Sequence, residues 1–154
     1  MIKQTDESKL QGYIAALEDG DIDSFDDPDF LENLRQNCLS VLDEGVSPEA
    51  HYLLGVYHIQ KGDKDCANQE RLKAAYLGHC TAVMDYVSGT NDYRSVEILG
   101  IVRAMNDGGE KLASAQEDFD IYLSELSPEK EEKVNGIAKS VKESMEQYGL
   151  RFRW

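Results

Sequence analysis

The sequence predicts an all-α fold of about eight short antiparallel helices, arranged as an array of helical hairpins or as a compact bundle. Three observations carry this prediction. Apolar residues recur at helical spacing in almost every segment, with no convincing strand alternation. Glycines punctuate the segments where helices would have to end. Three segments open on the same signal, a capping residue followed by proline: Asp27-Pro28, Ser47-Pro48 and Ser127-Pro128. Proline is favoured there because the first helical N–H has no intrahelical acceptor to lose.

Taken in order, Leu10, Tyr13, Ile14 and Leu17 form the apolar face of a first helix that stops at Gly20. An acidic linker leads to Asp27-Pro28, where a second helix carries Phe30, Leu31, Leu34, Cys38, Val41 and Leu42 up to Gly45. Ser47-Pro48-Glu49 opens a third, with Ala50, Leu53, Leu54 and Tyr57 facing inward until Gly62. A fourth is expected from Lys64 to Leu77, closed by Gly78. A short fifth holds Ala82, Val83, Tyr86 and Val87 and stops at Gly89. Asn91-Asp92 caps a sixth, with Val96, Leu99, Val102 and Met105 and a stop at Gly108-Gly109. The seventh carries Leu112, Ala115, Phe119, Tyr122, Leu123 and Leu126. The longest follows Ser127-Pro128, with Val134, Ile137, Ala138, Val141, Met145 and Tyr148 before Gly149. Short glycine or Ser-Pro turns between helices make neighbours antiparallel.

At 154 residues and 41% hydrophobic content, the chain reads as one folded domain spanning 1–154, with a repeat-like core at 47–89 and a cationic aromatic tail at 150–154. Its apolar runs fall far short of the roughly 20 residues needed to span a bilayer. The first residues lack an apolar signal core and turn acidic at Asp6-Glu7, so a soluble cytoplasmic protein is expected. Cys38, Cys66 and Cys80 cannot all pair within one chain and read as reduced core thiols among apolar neighbours in helical segments.

Charge narrows the choice of partner. Thirty acidic residues against 16 basic give a net charge of −14. Nucleic acid and anionic membrane are poor partners for such a surface, and a basic protein is a good one. The excess is concentrated in a run from Glu18 through Asp19, Asp21, Asp23, Asp26, Asp27, Asp29 and Glu32, with no basic residue between them. A second cluster, Glu117, Asp118, Asp120, Glu125, Glu129, Glu131 and Glu132, is relieved only by Lys130. Either group also serves as a solvated face that keeps the protein soluble.

Residues 47 to 89 carry a further pattern: Ala50, Leu54-Gly55, Tyr57, Gly62, Ala74-Ala75, Gly78 and Ala82. This resembles the Sel-one-like repeat family, relatives of the tetratricopeptide repeats. It covers one full unit and the start of another. The resemblance implies αα-hairpins stacked around a partner-binding concave face and brings no catalytic residues with it. Gly55 and Ala74 would let two helices approach closely.

Sites of chemistry are sparse. His51 and His58 lie two turns apart on one helix face, and His79-Cys80 lies further on; together with Cys66 they make a conceivable zinc set, but no short paired ligand spacing supports it. Asp19, Asp21, Asp23, Phe25 and Asp27 mimic a calcium loop, yet Ser24 replaces the turn glycine and Phe30 the closing glutamate. No nucleophile elbow, phosphate loop or metalloprotease motif occurs. No catalytic residue, metal ligand or cofactor is therefore assigned. Arg151-Phe152-Arg153-Trp154 either packs on the body or projects as an anchor for a partner.

The expected function is that of a non-catalytic protein-binding module, most concretely a small acidic inhibitor of the immunity type that masks a basic toxin. Its expected contact residues are Asp19, Asp21, Asp23, Asp26, Asp27, Asp29 and Glu32, with Tyr52, Tyr76 and Tyr86 as aromatic contacts. A general helical-repeat adaptor, binding near His51, Tyr52 and Arg71, is the alternative. A helical-bundle enzyme or metal protein is the third reading. Oligomeric state is not legible from the sequence.

Overall fold

In the computed structural model, which describes residues 4–20 and 23–154, the helical pattern becomes eight α-helices, and no strand occurs among those residues. They are α1 (Gln4–Glu18), α2 (Pro28–Glu44), α3 (Pro48–Gln60), α4 (Lys64–Tyr76), α5 (Cys80–Thr90), α6 (Val96–Asp107), α7 (Gln116–Ser124) and α8 (Pro128–Gln147). Single 3-10 turns precede α2 and α7, at Ser24–Asp26 and Ala113–Ala115. The all-α class holds. No described helix is long and apolar enough to cross a membrane.

The proline-marked starts form as their chemistry dictates. Asp27 Oδ1 accepts the Asp29 N–H at 3.0 Å, Ser47 Oγ the Ala50 N–H at 3.2 Å and Ser127 Oγ the Lys130 N–H at 3.3 Å. Each bond satisfies a donor that the first helical turn leaves orphaned.

Helix boundaries differ from the sequence expectation at α5, α6 and α7, the last spanning only Gln116–Ser124 and leaving Leu112, Ala115 and Leu126 outside it. Gly89 does not stop α5; it lies inside the helix, which ends at Asn91 in the left-handed conformation, φ 56°, with its N–H donating to the Val87 carbonyl at 2.8 Å. Asparagine tolerates that conformation better than most residues. Nor does Asn91-Asp92 cap α6. Ser95 does, through its hydroxyl to the Ile98 N–H at 3.2 Å, while Asp92 accepts the Ser95 N–H one turn earlier at 3.0 Å.

The chain forms two compact units, Met1–Ala74 and Ala75–Trp154, the division falling in the last turn of α4. In the first, α1, α2 and α3 enclose Leu10, Phe25, Leu31, Leu34, Cys38, Val41, Ala50, Leu53 and Leu54. α4 lies against α3 at Gly55, where an added methyl would meet the Arg71 Cγ at 3.2 Å and the Ala67 carbonyl oxygen at 3.4 Å. In the second unit, α6 and α8 form the main packed pair, burying Ile98, Ile101, Val102 and Met105 with Val134, Val141 and Met145. Phe119 of α7 and Leu112 complete this core.

Candidate functional site

The acidic run leads from the end of α1 into the first turn of α2. Asp19 follows α1, Asp23 and Asp26 flank and join the 3-10 turn, Asp27 caps α2, and Asp29 lies in its first turn. All five side chains are exposed. None makes an ion pair among the described residues. Asp21 lies outside the described residues. Between the carboxylates Phe25 turns inward, only 2% exposed, and meets Phe30 edge-on with ring centroids 5.0 Å apart. Phe30 in turn meets Tyr13 of α1 at 5.3 Å, and the Tyr13 hydroxyl accepts from Asn37 of α2 at 2.8 Å. Three aromatic rings in series therefore join the 3-10 turn at Ser24–Asp26 to α2 and α1.

Glu32 stands apart from its neighbours in the run. Its carboxylate takes a two-pronged contact from Arg35, at 2.9 and 3.2 Å. The hydrogen bond from Arg35 holds the Glu32 carboxyl below its ordinary range, assisted by Gln36, and raises the arginine in return. A partner's cation would have to compete with Arg35 for it. The five aspartates present no such obstacle.

The expected aromatic contacts are divided between the two units. Tyr52 is half-buried on α3 and packs against the core of the first unit. Tyr76 and Tyr86 belong to the second unit, where both are half-buried beside Glu97. Burial, then the neighbouring carboxylates, pushes both phenols up.

Two histidines are committed to structural bonds. His51 Nδ1 lies 2.6 Å from Glu70 Oε2, joining α3 to α4. Burial raises the Glu70 carboxyl, but the bonds and charges of His51 and Lys73 outweigh it and hold the group below its ordinary range. His79 caps α5, its Nδ1 accepting the Ala82 N–H at 3.2 Å. The third histidine, His58, converges instead with Asp63 and Cys66, their ligating atoms all within 4.8 Å of one another. Sequence reading missed Asp63. Its signal was the helix stop at Gly62, which folds α4 back beside the end of α3.

The cysteines are all free, but only Cys38 and Cys80 are buried; Cys66, expected in the core, is only half-buried in the first turn of α4. Burial pushes the Cys38 thiol up to about 12 and the Cys80 thiol up to about 11, each with help from a nearby carboxylate. Thiolate is the reactive form, so these two are inert at neutral pH. A thiol reagent at pH 8 is expected to label Cys66 first in the native protein and to reach Cys38 and Cys80 only on unfolding. Mass mapping of the modified peptides checks this; early labelling of Cys38 would contradict its burial.

The tail is tied down by its backbone. The Cys80 N–H donates to the Arg153 carbonyl at 2.7 Å, and the Arg153 N–H donates to the Gly78 carbonyl at 3.0 Å. Phe152 is half-buried against Gly108. Trp154 remains 55% exposed, its indole N–H donating to Glu110 at 3.0 Å. The tail therefore packs through its backbone and Phe152, while its last ring faces outward.

The chain matches no protein-family model, no curated protein and no solved structure.

Proposed function

We propose that the chain is a non-catalytic protein-binding module whose acidic α1–α2 connection docks a basic protein. In its most concrete form it is an inhibitor of the immunity type, covering the cationic surface of a toxin. The observation that carries this reading is the set of five exposed aspartates, 19, 23, 26, 27 and 29, free of ion pairs among the described residues, four of them on or beside a 3-10 turn and helix start anchored by Phe25. Backbone that folding has already ordered loses less conformational freedom on docking than a flexible acidic segment would. Closely spaced like charges steer an oppositely charged partner and accelerate encounter. Under this proposal Tyr52, half-buried on α3 in the same unit, is the aromatic contact expected to accompany the acidic face.

The test compares the wild-type chain with a variant carrying Asp19, Asp23, Asp26 and Asp29→Asn. Asp27 is left in place because it caps α2. Bait of each form is exposed to extract from the native host, and a captured basic protein is then purified for kinetics. The variant is expected to associate at least about tenfold more slowly, and the wild type to lose its advantage as salt is raised. A partner whose binding ignores both the substitutions and the salt would sink the acidic-face reading and favour a general adaptor.

A further inference from the structure

The turn between α3 and α4 places three different metal-ligating side chains together. His58 comes from the last turn of α3, Asp63 caps α4, and Cys66 lies in the first turn of α4. Their ligating atoms fall within 4.8 Å of one another. In a tetrahedral zinc site, Zn–N distances of about 2.0–2.1 Å and Zn–S of about 2.3 Å set neighbouring ligands roughly 3.3–3.8 Å apart. Side-chain rotation of about 1 Å therefore closes the group around an ion. The backbone beneath needs no movement.

That backbone is fixed by a double hydrogen bond across the turn. The Asp63 N–H donates to the His58 carbonyl at 2.9 Å and the Gly62 N–H to the Ile59 carbonyl at 3.0 Å, with Gly62 left-handed at φ +79°. This helix ending brings the side chains of its first and last residues into contact, and an apolar pair ordinarily fills that contact. The same ending after α8 follows the rule, with Met145 and Leu150 in those places, while that after α6 pairs Met105 with Glu110. After α3 the places hold His58 and Asp63, two ligand types where an apolar pair would stabilise the turn better. The His58 ring makes no hydrogen bond among the described residues, although it meets Tyr57 edge-on at 5.1 Å. Asp63 accepts the Cys66 N–H at 3.1 Å, which fixes the carboxylate beside the thiol.

We infer that His58, Asp63 and Cys66 form a divalent-metal site suited to zinc, open to a water or an incoming ligand at its fourth position. The donor set of imidazole, carboxylate and thiolate is one that zinc accepts. Binding forms one Zn–S, one Zn–N and one Zn–O bond and releases the Cys66 thiol proton to solvent, with no change of oxidation state. Neutral imidazole with two anionic ligands balances the dication. Asp63, Asp65 and Glu70 set negative charge around the Cys66 sulfur. The same negative field attracts a dication to the turn. The inference stands independently of the acidic partner surface, which lies on other elements.

The test uses the full, reduced chain titrated with Co²⁺, followed by displacement with Zn²⁺ in the presence of a competing chelator. One equivalent of cobalt is expected to give the near-ultraviolet charge-transfer band of a thiolate ligand, and zinc to abolish it. Cys66→Ser removes the band. His58→Gln and Asp63→Asn each weaken zinc binding at least about tenfold, since changing even a group that only orients a ligand costs that much. The asparagine side chain can still cap α4, so the loss in that variant reads the carboxylate. Glu132→Gln, an equal loss of charge elsewhere, leaves zinc affinity unchanged. Absence of a thiolate band in the wild-type chain overturns the proposal whatever the variants do. So does zinc binding that survives both His58→Gln and Cys66→Ser, which would reveal dispersed carboxylate association.

Discussion

Phe25→Ala is expected to destabilise the protein by about 3–5 kcal/mol, the usual cost of truncating a buried phenylalanine. The ring is 2% exposed and lies 5.0 Å from the Phe30 ring, so its removal leaves both an unfilled space and an unpartnered aromatic face. Nothing in the connecting segment compensates, because its other described side chains are mainly aspartates facing water. The effect should appear as a lower urea midpoint with a similar slope. Phe25→Leu, which refills most of the volume, should cost distinctly less. A loss below about 1 kcal/mol for the alanine variant would mean that the ring does not anchor the turn. Phe25→Ala should also slow capture of a basic partner while leaving every carboxylate in place. That result would separate the ordering of the acidic face from its charge.

Local rules made much of this fold legible. The starts of α2, α3 and α8 follow from a capping side chain and a proline within two adjacent residues, and no distant contact is needed to explain them. The end of α5 was misplaced because glycine is only a permissive stop. Gly89 continues helically, and Asn91 takes the left-handed position instead. The 3-10 turn at Ala113–Ala115 was absorbed into the seventh helix for a related reason, since alanine favours helix without distinguishing its types. Tertiary placement was harder still. The acidic run was evident in the sequence, but the inward Phe25 that anchors its 3-10 turn reads there as one aromatic among charges. Asp63 looked like one more aspartate until the turn at Gly62 set it beside His58 and Cys66.

Gly100 carries the other large expected effect, and no periodicity argument singles it out. Alanine in the middle of an exposed helix is favoured over glycine by about 1 kcal/mol. In α6 the sign should reverse. A methyl at Gly100 would stand 2.5 Å from the Ile137 Cβ and 3.1 Å from the Val134 backbone oxygen, both on α8. The first is a branched carbon close to the main chain and the second belongs to it, so neither can swing aside as the end of a flexible side chain would. Gly100→Ala is expected to destabilise by about 1–3 kcal/mol after the helical gain is counted, and Gly100→Val by more. The sole tryptophan, Trp154, belongs to the same unit and offers a fluorescence readout of its unfolding. Ile137→Ala relieves part of the clash. Combined with Gly100→Ala it should therefore lose less stability than the two single changes added together, by about 1 kcal/mol or more. Strict additivity would mean that α6 and α8 do not meet at this glycine. A non-additive result would locate their crossing at Gly100 and Ile137, with the residual loss due to the backbone oxygen of Val134, which no side-chain substitution removes.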